Sequence, residues 1–207
     1  MAPGIGVQHL LDAIDGVAYL ADAQGIIRAI GAASWQRFAS ENGAPELTAG
    51  SVIGASLFAS LNGGSVRDAC RRLHDSVCLG RRRAISYQFR CDAPATERRM
   101  RMSISPVTPR RGAVMALYQS QIVTEMARLP LGLLSVDRRA PDTPRSNGAP
   151  VVLCSFCHDV VWPVGAPEPD QNWIGLEDYY RRGGTSQVTV NHGICPTCLA
   201  RIVAPND

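Results

Sequence analysis

Tyr87-Gln88-Phe89-Arg90-Cys91 and Arg99-Met100-Arg101-Met102-Ser103-Ile104 alternate apolar and polar residues in two successive runs. A strand points successive side chains to opposite faces, so a period of two marks one buried and one wet face. Ile85 and Ser86 extend the first run upstream. Arginine on the polar side predicts antiparallel strands, because parallel sheets are covered on both faces. Ala113 to Gln119 is a third run, more uniformly apolar.

Upstream, Val17-Ala18-Tyr19-Leu20 and Ile26-Ile27-Arg28-Ala29-Ile30 read as two short strands joined by the turn Asp22-Ala23-Gln24-Gly25. A helix is predicted from Ala32 to Ser40, with Trp35 and Phe38 on one side, stopped by Asn42-Gly43. Val66, Ala69, Cys70, Leu73 and Val77 recur at helical spacing, and Gly80 ends that helix. The order is strand, strand, helices and three strands, which gives an α+β class. Residues 138–150 are rich in proline, arginine and small polar residues and lack periodicity. The chain therefore divides into a larger α+β unit at 1–125, a linker at 126–150 and a small unit at 151–207.

The small unit carries Cys154-Ser155-Phe156-Cys157 and Cys195-Pro196-Thr197-Cys198. Two C-x-x-C pairs supply four thiolates, the whole tetrahedral shell of a structural Zn²⁺. Residues 158–194 separate the pairs, and loop-closure entropy grows slowly enough with length to permit this. Four thiolates leave no open position for water or substrate, so the metal would be structural. His192 is placed to replace a cysteine, to hydrogen-bond a ligating sulfur, or to serve only as a turn residue. Trp173, Leu176 and Tyr180 are expected on one helical face covering the site.

Composition sets the surroundings. The chain has 207 residues and a net charge of +3. No signal peptide and no apolar run of membrane-spanning length is seen. A cytoplasmic, reducing location is expected, where paired cysteines favour metal over disulfide. Cys70, Cys78 and Cys91 fall at no ligand spacing. All 21 basic residues are arginine, read as genome composition, and their clusters are read as scattered solvated faces.

Competing readings follow from the same residues. Cys154 to His158 also spells the C-x-x-C-H haem-attachment pattern. Either pair is formally a redox dithiol, but neither shows a βαβ context. His74, beside the apolar stripe of its helix, is the candidate iron ligand of a haem-sensing reading. A nucleic-acid-binding zinc ribbon would need arginines gathered on the small unit, where Arg181, Arg182 and Arg201 face several acids. No phosphate loop or catalytic constellation is present, so a non-enzymatic protein is expected.

Two resemblances complete the reading. Residues 7–122 resemble a PAS domain, through Asp15-Gly16-Val17-Ala18-Tyr19-Leu20-Ala21-Asp22 with Gly25-Ile26-Ile27, through Trp35 to Gly43, and through the late strands quoted above. That resemblance implies a five-stranded antiparallel sheet with helices on one face, often enclosing a ligand or mediating dimerisation. The lining would draw on Trp35, Phe38, Leu73, Tyr87, Phe89, Met100 and Met102, or these residues form plain core. Residues 151–203 resemble a short cysteine module found after PAS or receiver domains in bacterial signalling proteins. The carriers are the Trp173-to-Tyr180 segment and Asn191-His192-Gly193-Ile194-Cys195-Pro196-Thr197-Cys198. His158-Asp159-Val160-Val161 and the Pro-rich insert Trp162 to Pro169 depart from that module. Together they imply a signal-transduction sensor or adaptor that meets other signalling proteins, with a homodimer through the PAS unit, no membrane and no nucleic acid.

Overall fold

The structure is a computed structural model that describes residues 6–93, 95–109, 112–134, 149–167 and 170–204. Five antiparallel strands form the first sheet, in the order β2-β1-β5-β4-β3. They are β1 (Val17–Ala21), β2 (Ile27–Ile30), β3 (Ile85–Arg90), β4 (Thr96–Val107) and β5 (Met115–Ala127). The fold is α+β, with the five-stranded antiparallel sheet that the PAS resemblance implies.

The first hairpin closes as the turn chemistry dictates. Asp22 Oδ1 accepts the amides of Gln24 and Ile26, at 3.0 and 2.9 Å. Gly25 sits at φ +77, where a Cβ would also strike the ring of Phe58. Helix α1 is Val7–Asp12, α2 is Ala32–Glu41, α3 is the short Ala49–Val52 and α4 is Gly64–Cys78. Val66, Ala69, Leu73 and Val77 of α4 are buried, and Gly80 at φ +69 follows its end. Asn42 closes α2 by donating its side-chain amide to the carbonyl of Phe38, at 2.8 Å.

Strand parity is as the alternation predicts. Ile85 pairs with Ile104, Tyr87 with Met102 and Phe89 with Met100, all on one face. The uniformly apolar β1 is buried throughout, because α1 packs Leu11 against Ala18 and Leu20 on the outer face. Parity also corrects one expectation. Arg98 shares its face with Met100 and is buried, not solvated. Its guanidinium donates to Asn42 Oδ1 at 2.9 Å and to Glu125 Oε2 at 2.5 Å, and it lies over Phe38.

β5 runs well past the predicted Gln119. Its far half is exposed and is held by the backbone ladder to Thr96–Arg101 of β4, not by apolar burial. The hydrophobic pattern therefore could not reveal it. Of the segment read as linker, residues 126–127 complete β5. Gly132–Leu134 forms a 3₁₀ turn whose Leu133 is buried with Leu176 and Tyr179. Residues 135–148 lie outside the described part.

The second sheet has the order β8-β7-β6-β9, with β6 at Val151–Cys154, β7 at Val160–Trp162, β8 at Asn172–Ile174 and β9 at Val190–Gly193. β6 and β9 are parallel. Parallel neighbours need a crossover, which explains the long interval between the cysteine pairs. β7, β8 and α5 (Leu176–Arg181) occupy it, and α6 (Pro196–Val203) follows β9.

The sequence sets the two units on either side of a linker, and the structure docks one on the other. Cys154, Phe156, Cys195, Cys198 and Ile202 belong to the same buried cluster as Val66, Leu73, Val77 and Ile85. Arg82 of the α4–β3 loop donates to the carbonyls of Ile202 and Ala204 at the end of α6.

Candidate metal centre

The first knuckle is the β6–β7 hairpin turn. Cys154 N donates to Asp159 O at 2.8 Å, and His158 N donates to Cys154 O at 3.0 Å. His158 takes φ +66 to finish the turn. The second knuckle is the start of α6. Cys195 is its N-cap, Pro196 opens the helix, and the Cys198 amide donates to Cys195 Sγ at 3.3 Å. The parallel pairing of β6 with β9 brings the two knuckles together.

The four sulfurs of Cys154, Cys157, Cys195 and Cys198 lie within 4.8 Å of one another. Cys157 Sγ and Cys195 Sγ are 3.7 Å apart. A tetrahedral ion with sulfur arms of about 2.3 Å has edges of about 3.8 Å, so the donor set fits a four-thiolate metal site. The Cys157 thiol beside Cys154, together with the amides of Cys195, Cys157 and Phe156, pulls the Cys154 thiol down to about 5 despite burial. Its neighbour Cys154 pushes the Cys157 thiol up, and burial raises Cys198 to about 12. Thiolates held this close repel one another, and a cation among them removes that repulsion.

Surrounding residues are placed differently from expectation. His192 is outside the sulfur cluster, and its Nδ1 lies 3.4 Å from Ser155 Oγ inside the first knuckle. Trp173 is a strand residue of β8, not part of a helix, and packs against the cluster holding the cysteines. Leu176 and Tyr180 face the other cluster with Leu133, and it is Tyr179 that is fully buried there. A helical face of Trp173, Leu176 and Tyr180 over the metal is therefore not formed. The chain turns from strand to helix at Gly175.

Beside the knuckle lies a carboxylate that the sequence reading missed. Asp92 has a fully buried carboxyl group, which meets Arg90, Arg128 and the Arg98 amide. His158 Nδ1 is 3.2 Å from it, close enough for ion pairing although off the hydrogen-bonding direction. Burial alone would raise this carboxyl, but His158, Arg90 and the Arg98 amide hold it well below the usual carboxylate range. A lone Asp before Ala93-Pro94 carries no periodic signal that could have disclosed this.

A pocket of about 210 Å³ lies between the sheet, α4 and the knuckle. Leu73, Tyr87, Phe89 and Met102 line it, as do Tyr19, Cys70 and Tyr118. Trp35, Phe38 and Met100 do not. Met100 is buried deeper in the sheet, Trp35 stands edge-on to Tyr19, and Phe38 lies under Arg98. Ser155 and Phe156 of the first knuckle also line it, a contribution that strand alternation could not forecast. Burial pushes the hydroxyls of Tyr19, Tyr87 and Tyr118 up and raises the Cys70 thiol to about 11, so these groups are neutral at neutral pH.

His74 is fully buried with both ring nitrogens engaged. Nε2 lies 2.9 Å from the Asp22 carbonyl, which only accepts, so Nε2 carries the proton. Nδ1 then accepts the Tyr118 hydroxyl at 2.8 Å. Neither nitrogen is left for haem iron.

No family model and no curated protein matches this chain. Among solved structures it is similar to the PAS domain of Bordetella pertussis BvgS, at 11% identity and a TM-score of 0.44, over 56% of this chain and 83% of that one. It is also similar to the PAS domain of nitrogen regulation protein NR(II) from Vibrio parahaemolyticus, at 14% identity and a TM-score of 0.39, over 57% and 100% of the two chains. A third is a domain of an HTR-like protein from Haloarcula marismortui, at 15% identity and a TM-score of 0.38, over 52% and 97%. At these levels nothing about function transfers. Among the described residues, no helix is long and apolar enough to cross a membrane.

Proposed function

We propose that this chain is a non-enzymatic signal-transduction sensor or adaptor of the cytoplasm. Its PAS-like unit senses a small ligand or a partner, and its cysteine module holds one structural Zn²⁺ and relays the state by contact with another signalling protein. Four clustered thiols in the same buried cluster as α4 carry this reading. The donor chemistry supports zinc, since an all-thiolate tetrahedron is its ordinary structural shell. When bound, the ion would supply charge neutralisation and a cross-link between two knuckles. The protein's residues do the rest, through hydrogen bonds to sulfur and through burial.

Several arginines are spent inside the molecule. Arg90, Arg98 and Arg128 pair with Asp92 and Glu125, which leaves fewer for phosphate and supports a protein partner over nucleic acid. Elemental analysis with an absorbance spectrum of purified protein is the direct test. One zinc per chain and no Soret band is the expected outcome. Metal-free protein with an intact module, or a Soret band, would sink the reading, and steeply salt-dependent DNA binding would point to the nucleic-acid alternative.

A further inference from the structure

The pocket and the metal centre share a wall. Phe156 and Ser155 line the pocket, and they are the two residues between Cys154 and Cys157. Any displacement of the Phe156 ring therefore acts on a peptide segment two residues long, fixed at both ends by a metal ligand. Its ring lies 5.7 Å from that of Tyr87 across the pocket wall. The opposite wall includes Val66, Cys70 and Leu73 of α4, a helix that also packs against α6, which bears Cys198.

We infer that occupancy of this pocket and metal retention at the four cysteines are one coupled equilibrium, and that the occupant is a small uncharged ring compound with a hydrogen-bonding group. This rests on the sensor reading above and adds the ligand class and the coupling. Size supports the class: a cavity of about 150 Å³ already holds benzene, and this one has about 210 Å³. Chemistry supports it too. Among the described residues no charged side chain lines the pocket, so an ion would be desolvated without a partner. The Tyr118 hydroxyl is taken by His74, while the hydroxyls of Tyr19 and Tyr87 have no hydrogen-bond partner among the described residues. A polar ring substituent would meet those two. A ligand that braces Phe156 narrows the motions by which the knuckle opens, and linkage requires that bound metal in turn favour the ligand.

The test uses the full metal-loaded chain, with indole as the probe and a chromophoric chelator to time zinc release. Indole should bind by calorimetry and slow release by about fivefold or more, the low end of ordinary coupling between sites. Leu61→Trp, which fills the pocket from the segment just before α4, should exclude indole and slow release without it. Phe156→Ala should keep its zinc but lose the effect of indole. If Phe156→Ala does not fold, the Leu61→Trp comparison decides alone. Indole that binds while release stays unchanged overturns the coupling and leaves the sensor reading standing. Zinc-loaded protein that does not bind indole overturns the ligand class. Protein that carries no metal overturns the earlier reading itself.

Discussion

The amide of Arg90 donates to the carbonyl of Phe156 at 2.8 Å. Arg90 ends β3, the edge strand of the first sheet, and Phe156 is the middle of the first knuckle. The knuckle thus adds one backbone hydrogen bond to an otherwise open sheet edge, a position where unpaired amides invite a partner. Next to it, Phe89 and Phe156 face the same pocket. The cysteine module is consequently part of the core that holds α4 and β3 and not an appendage to it.

Removing a metal ligand should be felt on both sides of that contact. Cys154→Ser or Cys198→Ser is expected to abolish stoichiometric zinc and to raise hydrogen exchange in residues 151–203. It should also raise exchange in β3 and α4, because their side chains share a buried cluster with these cysteines. Exchange confined to 151–203 would show that the docking is energetically idle.

Arg90 and Phe89 should not behave as an outside and an inside residue. Arg90→Ala removes one partner of the fully buried Asp92 carboxylate, which keeps Arg128 and His158. A loss of about 1–3 kcal/mol is expected, the usual cost of stripping a partner from a buried polar group. Phe89→Ala should cost less than the roughly 3–5 kcal/mol of a fully packed phenylalanine, because Phe89 borders the pocket. Urea denaturation of the two variants checks both. A neutral Arg90→Ala would mean that the Asp92 cluster contributes nothing to stability.

Neighbouring glycines should answer oppositely. Gly63 sits at φ +83, and a Cβ there would collide with the His192 carbonyl of β9. Gly63→Ala should therefore lose about 1–3 kcal/mol from backbone strain alone and loosen the docked module. Gly64, the first residue of α4, has open space around its Cβ position. Gly64→Ala should be neutral or gain up to about 1 kcal/mol. Thermal melts of the pair check both, and a neutral Gly63→Ala would overturn the close approach of Gly63 to β9.

His74 should give the fold a pH slope. Burial, its largest influence, lowers the imidazole below 6.5. As pH falls through about 6.5, the unfolded chain takes up a proton that the folded chain still refuses, so stability should drop with pH in that window. His74→Gln should lose stability at pH 8 and show a shallower slope between pH 7 and 5. Parallel slopes for both proteins would assign the pH dependence elsewhere.

The sequence by itself determined what short-range spacing can determine. Alternation at Tyr87–Cys91 and Arg99–Ile104 set which side chains share a face, since strand parity is local geometry. Two residues between cysteines made each knuckle, and the same parity already placed Arg98 inside, had it been applied one step further. The tertiary structure decided the rest. The far half of β5 exists because β4 supplies its hydrogen bonds, although its Ile122, Val123 and Met126 stay exposed and mark no buried face. The parallel β6–β9 pairing joins knuckles that are distant in sequence. The seating of Phe156 over the pocket follows from the docking of two sheets. These are contacts between residues far apart along the chain, and their energy comes from surfaces that meet only after both units have folded, so no local pattern records them.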